Sequence, residues 1–316
     1  MDNLTILVTG AAGFIASNFC NIATERYPNT TFIGLDKMSY CSSMKNLTSS
    51  LSRSNFEFIK GNITSSEDLN IIFNHRAIDY IIHFAAYTHV DNSFENPVKF
   101  TKNNVLGTHL LLEHALKHKV KRFVFVSTDE VYGSSNEQSN EQSILEPTNP
   151  YSATKAAAEM IVKSYYTSFN LPIVITRSNN IYGPNQYPDK IVPIIVQRIN
   201  NNEKILVHGN GEQKRSFLYV DDVVDAYLTV LEKGEIGETY NICSKDEFTI
   251  NELGDMILQR MKPGEDFTDH FIHGEDRKFN DIRYHICSKK IENDLGWKQN
   301  ITFQEGLRRT INFYSQ

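Results

Sequence analysis

Through the first half of the chain, short unbroken apolar runs alternate with longer stretches of helical spacing. "LTILVTG", "TFIGLD", "FEFIKG", "YIIHFAA" and "RFVFVST" carry apolar residues at consecutive rather than alternate positions. That is the pattern of strands covered on both faces of a parallel sheet. Between most of them lie segments such as 14–25, where apolar residues recur with helical period. The alternation predicts βαβ units and an α/β fold, a doubly wound parallel sheet with helices on both faces. Past about residue 180 the texture changes. Turn signals crowd into "YGPNQYPDK" and "HGNGEQKRS", while "FLYVDDVVDAYLTVLEKG" reads as a helix and "ETYNIC" as a strand. This divides the chain into a first domain over residues 1–180, with a return to it at about 217–243, and a smaller α/β substrate-binding domain over most of 181–316.

Composition narrows the function classes. With 32 Lys+Arg against 38 Asp+Glu, scattered along the chain, the net charge is -6, so no polyanion-binding surface and no nucleic-acid partner is expected. The acidic start "MDNLTILVTG" lacks the features of a secretory leader, and no apolar run approaches the roughly 20 residues of a membrane helix. A cytoplasmic protein with no membrane partner is expected. Cys20, Cys41, Cys243 and Cys287 lie far apart without metal-ligand spacing and read as free thiols. His114 and His118 share a helix face beside Glu113, with no third ligand in view, so no metal is expected. The low-complexity stretch 134–143, "SSNEQSNEQS", reads as a solvated loop, and its start just past Asp129 and Glu130 leaves open whether it covers a site.

The first chemical signal is Gly10-Ala11-Ala12-Gly13 between a strand and a helix. Glycines there let the backbone turn tightly and approach a pyrophosphate, which rests on the helix N-terminus. Ala16 supplies the third small residue, and Asp36 ends the next strand. An acid at that place accepts hydrogen bonds from a ribose diol and repels a 2′-phosphate, so the cofactor is read as NAD, with Lys37 weakening the preference slightly. The second signal is Tyr151 and Lys155 on one face of a helix. Their spacing predicts an ammonium close to a phenol, making Tyr151 a base toward a hydroxyl under oxidation. The third is Ser127-Thr128-Asp129-Glu130 at the end of an apolar strand. Adjacent strand residues face opposite sides, so two carboxylates serve one substrate only if the backbone bends between Thr128 and Val131.

Together, Gly10-x-x-Gly13, Tyr151-x-x-x-Lys155 and the strand-end Ser/Thr resemble the extended short-chain dehydrogenase/reductases that act on nucleotide sugars, on a Rossmann-type sheet. "STDEVYG", "HVDNSF", "NPYSATKA", "SNNIYGPNQYPDK" and "FNDIRY" are similar, more narrowly, to the nucleoside-diphosphate-glucose 4,6-dehydratases, over nearly the whole chain. The resemblance implies that Tyr151, assisted by Thr128 and Lys155, takes the proton of the sugar 4-hydroxyl while a hydride leaves C4 for NAD. It implies that Glu130 then removes the C5 proton, that Asp129 protonates the departing 6-hydroxyl, and that the hydride returns to C6. The carboxyls need opposite protonation states, which close and unequally desolvated acids adopt. As cofactor contacts the resemblance implies Gly10, Gly13, Phe14, Ile15, Asp36, Lys37, Met38, Ser39, Asn62, Ile63, Ala85, Ala86, Tyr87, His89, Asn103, Tyr151, Lys155 and Asn180. As substrate contacts it implies His89, Thr128, Asn179, Lys190, Ile191, Leu206, Val207, His208, Arg215, Arg277 and Asn280, the two arginines suited to a diphosphate.

Some positions depart from that pattern. Asn62 replaces an aspartate usual beside adenine, Thr249 an asparagine that dTDP-glucose enzymes set against the nucleotide, and Phe279-Asn280 their Gly-His. With "GAAGFIAS" and "DKMSYCSSMKNL", these features are more similar to the UDP-glucose 4,6-dehydratase domain of rhamnose synthases. UDP-glucose is therefore the expected substrate and dTDP-glucose the alternative. The resemblance also implies a homodimer built on the helices near 104–118 and after Pro150, and, from the chain's length, a separate downstream epimerase or reductase. A 4-epimerase or decarboxylase on the same scaffold has no use for the Asp129-Glu130 pair. A non-catalytic nucleotide-sugar sensor has no need of intact Thr128, Asp129, Glu130, Tyr151 and Lys155.

Overall fold

The computed structural model describes residues 1–276 and 279–315. Twelve strands are described: β1 (Thr5–Thr9), β2 (Thr31–Asp36), β3 (Phe56–Lys60), β4 (Tyr80–His83), β5 (Arg122–Thr128), β6 (Ile173–Ser178), β7 (Asn180–Tyr182), β8 (Ile205–His208), β9 (Lys214–Tyr219), β10 (Thr239–Ile242), β11 (Glu247–Thr249) and β12 (Phe271–Gly274). Seven of them form one parallel sheet in the order β10-β6-β5-β4-β1-β2-β3. The unbroken apolar runs have the predicted cause: Ile6, Leu7 and Val8 are all fully buried, as are Phe123, Val124 and Phe125. Consecutive residues feed two different cores, Ile6 and Val8 one face of the sheet and Leu7 the other.

Strand order reverses between β1 and β4, and the crevice at such a reversal, outside the carboxyl ends of the strands, is where this architecture binds ligands. β10 takes the sheet's outer edge beside β6. The smaller part of the molecule holds a three-stranded sheet, β11-β9-β7, and the pair β12-β8. It leans on the large sheet through a shared core in which Tyr182 and Phe217 meet Phe303.

One element differs from expectation, and the place of the loop 134–143, left open by the sequence, is fixed. "FLYVDDVVDAYLTVLEKG" is not one helix. Phe217–Tyr219 pairs with β7 as strand, and the helix begins only at Val220. The loop 134–143 does not cover the cleft. Ser139 bridges to Ile286 and its N–H bonds the His285 carbonyl at 2.8 Å, while Glu141 accepts the Asn241 N–H at 2.8 Å. These bonds hold the loop against the segment 282–287, away from the cavity lining.

Candidate active site

β5 ends at Thr128, and the chain turns at once into a single 3-10 turn, Asp129–Tyr132. This is the bend that two adjacent carboxylates require. Thr128 caps the turn, its hydroxyl accepting the Glu130 N–H at 3.3 Å. Glu130 lines a cavity of about 450 Å³, and Asp129 lies just behind the wall, 2% exposed. Asp129 accepts from Asn179 Nδ2 at 2.7 Å and from the Thr128 hydroxyl at 3.3 Å. Burial, aided by the charge of Glu130, pushes the Asp129 carboxyl up to about 7. Burial also raises Glu130, but there a hydrogen bond from Asn149 and the charges of Arg215 and Lys190 pull back toward the anion, with Asp281 opposing weakly. Arg215 and Lys190 both favour ionised Glu130, and Arg215 also favours ionised Asp129, so burial acts on both acids and the cations around them act unequally.

The helix Pro150–Phe169 brings in the second constellation. Asn149 and Ser152 cap it reciprocally and Pro150 occupies its first turn, a combination that satisfies the start of a helix. Tyr151 and Lys155 stand one turn apart, both buried and both on the cavity wall. Lys155 Nζ donates to the Val126 carbonyl at 2.7 Å, just past the point where β4 stops pairing with β5. The hydrogen bond that eases ionisation of the Tyr151 phenol comes from Thr128, while burial and the Glu130 charge hold its pKa above the ordinary phenol value. Burial pulls Lys155 down to about 8.

At the strand-order reversal, Gly10 has φ +72°, and a Cβ there would lie 2.9 Å from the Ala85 backbone. Only glycine fits this cradle. No side chain caps the following helix at Gly13, so its first N–H groups are available to an anion. Asp36 accepts from Ala12 N–H at 3.1 Å, Met38 N–H at 2.7 Å and the Ser42 hydroxyl at 3.0 Å. A carboxylate has about four acceptor sites, so capacity remains for a ribose hydroxyl. Lys37 bonds Asn103 Oδ1 and lies 3.9 Å over the Tyr87 ring, which commits its charge away from Asp36. These residues fit a dinucleotide.

Nearly all the sequence-predicted site residues line this one cavity: the expected cofactor contacts Gly10, Gly13, Phe14, Ile15, Asp36, Lys37, Ser39, Asn62, Ile63, Ala85, Ala86, His89, Asn103 and Asn180. The expected substrate contacts Asn179, Lys190, Ile191, Leu206, Val207, His208, Arg215 and Asn280 line it as well. Met38 instead packs on the core, and Tyr87 lines a neighbouring pocket. Arg277 lies outside the described residues. The Asn62 carboxamide oxygen accepts the Thr64 N–H at 3.1 Å, and Thr249 forms a capping box with Glu252 at the start of the helix Ile250–Met261. His114 bonds the Leu110 carbonyl at 2.9 Å and Asn70 at 3.3 Å, an ordinary buried arrangement.

Several site residues escaped sequence reasoning. Asp281 accepts from the Thr148 hydroxyl and from Tyr284, and Arg215 stacks 4.7 Å from the Tyr284 ring. Asp189 takes the Tyr40 hydroxyl at 3.1 Å across the cleft. Beneath the floor, His83 sits between Thr9 at 2.6 Å and Thr108 at 2.9 Å. Burial holds its pKa near 3, so it is neutral. Because Thr108 donates to the Asn104 carbonyl at 2.6 Å, the ring's Nε2–H is assigned as donor to Thr108 and Nδ1 as acceptor from Thr9.

The reversed parallel sheet, the glycine cradle and the Tyr151/Lys155 helix define an extended short-chain dehydrogenase/reductase. Residues 7–310 match the model of the GDP-mannose 4,6 dehydratase family, and the chain belongs to that family. It is 45% identical to the dTDP-D-glucose 4,6-dehydratase of Dictyostelium discoideum, over 98% of this chain and 81% of that one. It is also 45% identical to a trifunctional UDP-glucose 4,6-dehydratase/UDP-4-keto-6-deoxy-D-glucose 3,5-epimerase/UDP-4-keto-L-rhamnose-reductase of Arabidopsis thaliana, over 98% of this chain. The match spans 47% of that plant protein's length. The crystal structure of the Streptomyces venezuelae dTDP-glucose 4,6-dehydratase DesIV with NAD bound superposes with a TM-score of 0.94 at 36% identity, covering 99% of this chain and 97% of that one.

Proposed function

We propose that this protein is an NAD-dependent nucleoside-diphosphate-glucose 4,6-dehydratase, a hydro-lyase that converts UDP-D-glucose to UDP-4-keto-6-deoxy-D-glucose and water. The observation that carries the reading is the 3-10 turn that sets Glu130 on the wall, and Asp129 just behind the wall, of the cavity that Tyr151 and Lys155 also line. Gly10 and the helix start at Gly13 would hold the pyrophosphate of NAD and Asp36 its ribose, and NAD so held would supply the hydride acceptor and donor. Tyr151 takes the proton of the 4-hydroxyl, with Thr128 stabilising the phenolate and Lys155 holding a positive charge one helical turn away. A ketone at C4 acidifies the C5 proton, and Glu130, whose anionic form the Asn149 hydrogen bond and the charges of Arg215 and Lys190 favour against burial, removes it. Asp129, protonated near neutrality, protonates the leaving 6-hydroxyl. Thr128 has one hydroxyl proton, so donating it to the Tyr151 phenolate uncovers one Asp129 oxygen, where the 6-hydroxyl can take its place while Asn179 keeps the other.

UDP-glucose is favoured over dTDP-glucose by "GAAGFIAS", "DKMSYCSSMKNL" and Phe279-Asn280, and by Thr249 serving as a helix cap instead of facing the cavity. The product would stand first in a route to UDP-L-rhamnose or a related deoxysugar. It is a substrate for 3,5-epimerisation and reduction, the further activities in the name of the Arabidopsis protein, here assigned to a separate enzyme. Four unpaired cysteines suit a reducing, cytoplasmic setting. No helix among the described residues is long and apolar enough to cross a membrane. Leu106, Met160, Tyr166 and Phe169 leave exposed apolar surface on the helices that would pair in a homodimer. Incubating the purified protein with each sugar nucleotide and following dehydration by mass spectrometry tests the assignment. A higher kcat/KM for UDP-glucose is expected, and a preference for dTDP-glucose would reverse the nucleotide choice.

A further inference from the structure

Asn149 has two jobs that ordinarily need two residues. Its side-chain oxygen accepts the Ser152 N–H at 2.9 Å, and Ser152 Oγ receives the Asn149 N–H at 3.2 Å in return. That reciprocal pair completes the cap of the helix Pro150–Phe169 without using the Asn149 amide nitrogen. The spare donor, Nδ2, reaches Glu130 Oε2 at 3.1 Å. Glu130 Oε1 has no protein hydrogen-bond partner among the described residues, and the side chain lines the cavity. Asn149 itself is 5% exposed, so water does not compete freely for the bond. Serine, aspartate and asparagine cap helices about equally well. Only asparagine combines the capping acceptor with an amide donor long enough to meet this carboxylate.

We propose that Asn149 is a positioning residue: it clamps one oxygen of the general base Glu130, leaves the other for the C5 proton, and ties the base to the helix that carries Tyr151. This rests on the dehydratase reading given above. The clamp acts on an anion, since an N–H donor stabilises carboxylate over carboxylic acid. Other groups bearing on Glu130 are Arg215 from β9, Lys190 before the helix Ile191–Asn200, Asp281, Tyr284, and its neighbours Asp129 and Tyr151. Arg215 and Lys190 favour the anion as Asn149 does, so loss of the clamp weakens the base without abolishing it.

Three variants of the full-length protein separate clamp from cap: Asn149→Ser, Asn149→Asp and Ser152→Ala. The readout is the pH profile of deuterium incorporation at C5 of the product in D2O, beside thermal unfolding. Asn149→Ser keeps a capping oxygen and should unfold near wild type while the acid limb of its profile moves up by about one pH unit; Asn149→Asp also keeps the capping oxygen but sets a like charge against Glu130, so its limb should move further and its unfolding temperature should fall. Ser152→Ala weakens the cap alone and should lower the unfolding temperature with the limb in place. The inference is overturned if neither Asn149 variant moves the limb, or if Ser152→Ala moves it as far. Failure of the dehydratase reading looks different, because wild-type protein would then label nothing.

Discussion

Asp129 and Glu130 are chemically similar and adjacent, yet burial and charge divide them. The division has a consequence for stability. Asp129, whose carboxyl is raised to about 7, binds a proton in the folded protein between roughly pH 4 and 7 that the unfolded chain does not bind. Its contribution to stability is therefore greatest below the unfolded value and declines as pH rises through about 7. Asp129→Asn should raise the unfolding temperature at pH 8 and change it little at pH 4; chemical or thermal denaturation across that range checks the sign. In catalysis the same substitution should slow water loss more than oxidation at C4, by about 10²-fold or more, as expected for loss of a general acid. Equal, mild effects on both steps would contradict the assignment. These two acids were legible in sequence because their adjacency conflicts with strand period, and the conflict has few resolutions. Asn149, Asp281 and His83 were not legible, because each takes its role from a partner between 19 and 133 residues away that only the fold brings near.

The element that matters most is the 3-10 turn Asp129–Tyr132, four residues held from behind. The Tyr132 hydroxyl accepts from Arg177 Nη1 at 2.6 Å and donates to Asn241 Oδ1 at 2.8 Å. Arg177 in turn forks onto Glu159, both side chains fully buried. A buried ion pair adds little net stability, but breaking it strands a charge. Arg177→Leu should cost about 3–5 kcal/mol in denaturant titrations. Tyr132→Phe should cost about 1–3 kcal/mol by leaving buried polar partners unmet, and should slow both proton transfers while NAD affinity, measured by calorimetry, stays near wild type. Sequence showed that the chain must bend here but not how the bend is anchored. It also merged Phe217–Tyr219 into the following helix, since an apolar run of three residues carries no period of its own and pairing with β7 decided it. The start of the Tyr151 helix was legible because Asn149-Pro150 is a local signal.

At the scale of the whole molecule, the reversed strand order sets one cavity between a dinucleotide cradle and a smaller sheet, so an acid–base turn and a cofactor meet on one sugar. The parallel sheet was legible as unbroken apolar runs. The existence of a smaller α/β part was legible in the change of texture past residue 180, but its strand pairing was not, because its strands are short and one-sided, as in the buried-exposed alternation of β8. The central claim is that this cavity removes water from a nucleotide sugar by way of a proton exchanged at C5. The direct test is incubation of the protein with UDP-glucose and, separately, dTDP-glucose in D2O, with the product read by mass spectrometry and NMR. A 4-keto-6-deoxy sugar nucleotide carrying deuterium at C5 is predicted; an intact hexose changed only in configuration at C4, or no reaction with either sugar nucleotide, would contradict it.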